Sequence, residues 1–257
     1  MHVDVIFDPR RWAAFTELSV WQNTIWAGFQ ITLKMAAIAM VVSLVAGLLL
    51  ALLRTSRLAV IRLPVALFVE GVRSLPVLLL IFFSSLYLPR VGLAVDPFTA
   101  ATVALAVYTS AVNAEIIRAG ITSIERGQME AARSLGLSYV RTMRFVVLPQ
   151  ALRRVVPPQV GQLVTLFKDT SLAAVIGVNE LTRKMQILYQ FERPPNPLQA
   201  LFVAACIYFV VNYTLSRVSR RWELGVGGVG KLHGGDDAGG WVRRSHAVGA
   251  PGAVDVH

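Results

Sequence analysis

Ionisable and amide side chains set inside apolar stretches are where this sequence could do chemistry. Glu70 and Arg73 stand three residues apart, as do Glu115 and Arg118. That spacing puts each pair on one helix face, where opposite charges meet. Both pairs read as structural ion pairs, with solute contact the other role open to Glu70 and Arg73 and an interface role open to Glu115 and Arg118. Further on, Gln162, Thr165 and Asp169 recur at i, i+3 and i+7, flanked by Lys168 and Thr170. Those three share one helix face. A polar stripe in an apolar helix either lines a path for a polar solute or holds helices together.

The chemistry this chain lacks is equally informative. It has no Gly-rich loop of the Walker type, so it does not bind and hydrolyse a nucleotide by that route. No His-Glu-x-x-His occurs, and His2, His233, His246 and His257 all lie in the terminal segments. Cys206 is the single cysteine and sits in an apolar run, which excludes an internal disulfide and a cysteine-built metal site. The expectation is therefore no catalytic residue, no metal and no cofactor held by this chain. The net charge of +10 is spread between apolar runs rather than gathered in one patch. With no aromatic-interleaved basic stripe, nucleic-acid binding is excluded.

The elements that must position these side chains are membrane helices. Of 257 residues, 55% are hydrophobic and 16% charged, and the mean hydropathy is +0.58. A soluble domain carries about a quarter charged residues. Spanning a bilayer takes about 20 largely apolar residues, and five such runs are placed at 25–53, 61–88, 98–118, 155–177 and 198–219. The expected fold is all-α and integral to the membrane. It comprises an external segment over 1–22, a transmembrane domain over 23–222 and a disordered tail over 223–257. Ten of the chain's 19 glycines fall in that tail, from Leu224 onward. Basic residues crowd one side: Arg54, Arg57 and Arg62 after the first span, six arginines between Arg126 and Arg154, and six basic residues from Arg217 to Arg244. Positive charge stays cytoplasmic, so the N-terminus is expected outside and the C-terminus inside.

The stretch after the third span is too charged to cross. Gly127 to Leu135 reads as a short helix stopped by Gly136, whose backbone tolerates the left-handed conformation of a helix end. Ser138 then caps a second helical stretch, and Pro149 is expected to end or kink it. Ala131 and Ala132 give the first helix a small-residue face that another protein could approach closely. An ordinary amphipathic surface loop is the alternative reading.

Glu130-Ala131-Ala132, then Gly136, then Val146, Leu148 and Pro149 resembles the EAA motif of bacterial ABC-importer permeases, with valine at a position where the family has isoleucine. The segments Phe68–Pro76, Glu115–Gly120, Leu166–Leu172 and Val175–Leu181 are similar to the polar amino-acid branch, the histidine, glutamine and glutamate permeases. The resemblance covers about residues 23–222. It implies a five-span subunit of a type I importer in the bacterial cytoplasmic membrane, working by alternating access. In that family the motif forms a coupling helix, so Gly127, Glu130, Ala131, Ala132, Gly136, Leu148 and Pro149 would face a partner ATPase dimer that binds ATP and Mg²⁺. A second permease subunit (a paralogue or another copy), an extracytoplasmic solute-binding protein and membrane lipid are the other implied partners. A polar amino acid, with glutamate, aspartate or glutamine in view, is the implied cargo. Its ammonium suits Asp169 and its carboxylate Lys168, with hydrogen bonds from Gln162 and Thr165. A stand-alone secondary transporter or channel for small polar solutes is the competing class. Such proteins often carry inverted repeats and broken helices, and no repeat is found here.

Overall fold

The long helices form because apolar, helix-favouring residues run uninterrupted between a few proline, glycine and capping signals. In the computed structural model, which describes residues 12–124, 126–192 and 197–227, the described chain is helical with no strand. Helix α1 spans Leu18–Arg54, with a π-helical stretch at Trp21–Trp26. At about 1.5 Å per residue it is longer than the roughly 30 Å hydrocarbon layer. Its buried stripe is small: Gly28, Thr32, Ala36, Ala39, Ser43, Gly47 and Ala51, with Met35 the large exception. Small side chains let helix backbones approach closely. A Cβ on Gly47 would stand 2.7 Å from the Cβ of Asn113, which shows how closely the two helices meet. The opposite face exposes Val41, Val45, Leu48, Leu49 and Leu52, as a lipid-facing side requires.

The second expected span is two helices. Helix α2 covers Ala59–Ser74 and α3 covers Val77–Arg90, bent by 103° relative to each other. Pro76 forces the break: it pushes Leu75 into an extended conformation, φ −88° and ψ 140°. Helix α4, Pro97–Thr122, starts where the Asp96 carboxylate accepts from the N–H groups of Phe98 and Thr99, with Pro97 in the first turn. It is the axis of the bundle, burying Ala101, Leu105, Ala111, Asn113 and Ala114 among others. Helix α5 is Arg126–Ser134, α6 is Leu148–Asp169, α7 is Leu181–Ile187 and α8 is Pro197–Gly227.

Among the described residues three helices are long and apolar enough to cross a membrane, and the bent α2–α3 pair makes up to four. The expected fourth span has helix length in α6 but is too polar along one side to pass on composition. Its bounds also move. The helix begins at Leu148 rather than 155 and gives way at Thr170 to a 3-10 coil, Thr170–Ile176, closed by Gly177 at φ 89°. Helix α8 continues to Gly227, so the start of the expected tail, 223–227, is helical. Residues 228–257 and 1–11 lie outside the described residues.

Candidate functional site

Helix α5 is hung between α4 and α6. Arg154 of α6 donates to the carbonyl and hydroxyl oxygens of Ser123, the residue that closes α4. A Cβ on Gly120 would fall 2.2 Å from Cγ2 of Val155, so α4 and α6 meet there with nothing between them. The end of α5 is a double-bonded glycine cap. Gly136 takes φ 83°, its N–H reaches the carbonyl of Arg133 at 2.9 Å, and the Leu137 N–H reaches that of Ala132 at 3.2 Å. Ser138 then caps the next turn by accepting from the Arg141 N–H. Gly127, Glu130 and Ala131 are exposed, whereas Ala132 is buried against the chain itself. The outward small-residue face is therefore Ala131 with Gly127, and Ala132 does not contribute to it.

Pro149 does not end its helix. The turn Tyr139–Thr142 runs through a π-helical stretch, Met143–Val147, into α6, and Pro149 occupies the first turn of α6, where its missing N–H costs nothing. Leu148 and Pro149 are both exposed. A cavity of about 500 Å³ opens beside α5, lined among others by Leu52, Thr55, Met129, Glu130, Arg133 and Tyr139.

The two charge pairs are parts of one cluster. Arg118 grips Glu115 with two hydrogen bonds, Nε to Oε2 at 3.0 Å and Nη2 to Oε1 at 2.5 Å. Arg73 lies 3.6 Å from Glu70. Between them Arg54, the last residue of α1, donates from Nη1 to Glu115 at 2.7 Å and from Nη2 to Glu70 at 2.6 Å. One guanidinium fork thus ties the ends of α1, α2 and α4 together.

The residues of the α6 stripe differ in burial. Gln162 is buried and Thr165 and Asp169 are half-buried, while Lys168 is exposed. The Thr165 hydroxyl donates to the Gly161 carbonyl. Thr170 is wholly buried beyond the end of α6 and donates to the carbonyl of Phe167.

Residues 43–223 match the family described as binding-protein-dependent transport system inner membrane component. The chain belongs to that family. It is 45% identical over 201 residues to the probable glutamine ABC transporter permease protein GlnP of Bacillus subtilis (strain 168), covering 78% of this chain and 92% of that one. Over 219 residues it is 34% identical to the glutamate transport system permease protein GluD of Corynebacterium glutamicum (strain ATCC 13032), covering 84% and 80%. The crystal structure of an amino acid ABC transporter with histidines superposes with a TM-score of 0.76 at 31% identity, covering 87% of this chain and 99% of that one. This is a multi-pass, all-α permease with the type I importer fold.

Four polar residues of this permease were not singled out from its sequence. Arg54 counted only as a loop charge and Arg154 only as a loop arginine, because their partners are distant in the chain. Gln159, one turn before Gln162, extends the same buried face, and its spacing was the available signal. Glu180 is fully buried and caps α7, accepting from the N–H groups of Thr182 and Arg183 at 2.9 and 2.7 Å and from the Tyr208 hydroxyl at 3.0 Å. With the Leu181 N–H on Thr32, it joins α7 to α8 and α1. Glutamate is not among the favoured capping residues, so turn chemistry did not mark it, and the resemblance of Val175–Leu181 marked only the segment as a whole.

Proposed function

We propose that this permease moves polar amino acids of the glutamine and glutamate class inward across the bacterial cytoplasmic membrane, driven by a separate ATPase dimer that holds ATP and Mg²⁺. The observation that carries the reading is α5: a glycine-capped helix that presents Gly127, Glu130 and Ala131 outward and is strung in the chain between α4 and α6, whose ends the Arg154–Ser123 bond joins. A helix so mounted passes a push from a docked partner into two bundle helices. Gly136 supplies the cap, and Leu148 and Pro149 open the helix that receives the push. Relatives named for glutamine and glutamate transport support the cargo class. The basic residues around α5 and after the last span favour a cytoplasmic position for that end, with the N-terminus outside. A solute-binding protein then delivers cargo at the other end, and a second permease, identical or paralogous, completes the path. Gln162, Thr165, Lys168, Asp169 and Thr170 are the path candidates on α6, of which Gln162 and the half-buried Thr165 and Asp169 are best placed.

The test is ATP-dependent uptake of labelled L-glutamine and L-glutamate by vesicles holding the permease with its ATPase and binding protein. Uptake of either that needs ATP is the expected result. ATP-independent uptake by this chain alone would establish the stand-alone transporter instead.

A further inference from the structure

Two π-helical stretches, a geometry that is rare and concentrated at functional sites, contribute to one cavity. The first is Trp21–Trp26 near the start of α1, and the second, Leu188–Glu192, follows α7. The cavity measures about 330 Å³ and its wall is mostly polar: Glu17, Ser19, Asn23 and Thr24 around the start of α1, Lys184 of α7, and Leu188 at the head of the second stretch, among others. Pockets for small molecules begin at about 300 Å³. Lys184 is held in place there. It is half-buried, and its stem lies against α1 at Gly28, where a Cβ would stand 3.1 Å from Cγ of Lys184. Glu17 is half-buried too, with the Ser19 hydroxyl donating to its Oε2 at 3.4 Å. Glu17 and Lys184 do not pair with each other, so one acid and one base reach the same cavity without cancelling there. Thr24 and Leu52, which lines the cavity beside α5, lie on one helix about 40 Å apart. The two cavities therefore sit at opposite ends of α1.

We propose that this cavity is a receiving site for free α-amino acids at the outer mouth of the permease, where Lys184 takes the α-carboxylate and Glu17 the α-ammonium. The proposal rests on the reading of the chain as an amino-acid permease with its N-terminus outside, and adds where cargo first meets the bundle. A zwitterion answers one acid and one base at once, through charge-assisted hydrogen bonds. An anion alone leaves Lys184 matched but sets a like charge near Glu17, and an amine alone does the reverse. Asn23 and Thr24 add neutral hydrogen-bonding groups, which serve a carboxamide or a carboxylate side chain equally. The site therefore reads the groups that amino acids share and does not distinguish glutamine from glutamate.

The experiment puts a thiol in the cavity wall. Asn23→Cys, in a Cys206→Ala background, is labelled with a maleimide in the purified permease–ATPase complex without binding protein. Labelling is timed in the presence of L-glutamine, L-glutamate or γ-aminobutyramide, which is glutamine without its α-carboxylate. Both amino acids are expected to slow labelling alike, and the amine to leave it unchanged. Adding Lys184→Met is expected to raise the half-protecting concentration of glutamine at least about tenfold, the loss of one charge-assisted bond, whereas Lys184→Arg keeps most of the protection. Amino acids that protect no better than the amine, or a Lys184→Met variant protected as the parent is, overturn the proposal. Protection that appears only when binding protein is added also overturns it, because the cavity is then part of that protein's dock. If Lys184→Met fails to assemble, Glu17→Gln carries the test with the same expected tenfold loss, and parent-like protection of that variant overturns the proposal. A parent importer that takes up neither amino acid defeats the underlying reading instead, so the two failures are distinguishable.

Discussion

Replacing Arg54 by methionine tests whether one side chain holds three helix ends. The side chains of Arg54 and Glu115 are 14% and 24% exposed, and that of Glu70 is 55% exposed. The bond to Glu70 is therefore close to a surface ion pair, which contributes about 0–1 kcal/mol. The bond to Glu115 is half-sheltered and charge-assisted, a type that contributes about 1.5–3 kcal/mol. Neither carboxylate is orphaned by the change, because Arg118 stays on Glu115 and Arg73 stays near Glu70. That keeps the expected loss near about 2–3 kcal/mol rather than the larger penalty of an unpaired buried charge. At about 2–4 °C per kcal/mol for a chain of this size, Arg54→Met is expected to lower the melting midpoint of the purified complex by about 4–12 °C. Arg54→Lys keeps the charge but not the fork, so it is expected to recover only part of that loss. Glu115→Gln is expected to cost more than Glu70→Gln. A lysine variant as stable as the parent, or equal costs for the two glutamine variants, refutes the argument from the fork and its unequal arms.

The other expectations concern the frame around α5 and the start of α4. Gly136→Val forces a β-branched residue to φ 83°, a local cost of about 1–3 kcal/mol; the variant is expected to insert normally but to lose uptake or ATPase co-purification, and normal values of both would remove α5 from the coupling role. Gly120→Ala places a methyl 2.2 Å from Val155 and is expected to lower stability or assembly, with Val155→Ala restoring it in the double variant; absence of that rescue would mean the two helices do not meet there. The hydrogen bond from the Thr99 hydroxyl is the main cause holding the Asp96 carboxyl below the ordinary aspartate value of about 3.9. A depressed folded value means the capping contribution is present above that ordinary value and is lost as pH falls through the folded one. Asp96→Asn is therefore expected to flatten the acid limb of a melting profile taken from neutral pH downward, and an unchanged acid limb would show that the cap does not titrate with folding.

What the sequence made legible was local, and what it hid was not. Gly136 and Ser138 act on backbone groups within a few residues, so turn chemistry alone placed them. The i, i+3 spacing likewise placed Glu115 beside Arg118. Pro149 carried the right meaning in the wrong direction: proline limits a helix at either end, and only the π-helical run Met143–Val147 feeding into it decides that here it opens one. Pro76 broke the second span because the length of the apolar run, 61–88, masked a single backbone restriction. Arg54 is the most instructive case. Hydropathy assigned it to a loop, since it follows the apolar run, and the topological count used it as one more positive charge. Its partners lie 16 and 61 residues away, where no periodicity reaches. A charge at the end of a span can mark orientation and clasp neighbouring helices at once. Arg57, in the connection, and Arg62, in the first turn of α2, have no ion pair among the described residues and carry the proposed orientation without Arg54. The orientation argument and the clasp argument are therefore independent, and a variant at Arg54 disturbs only the second.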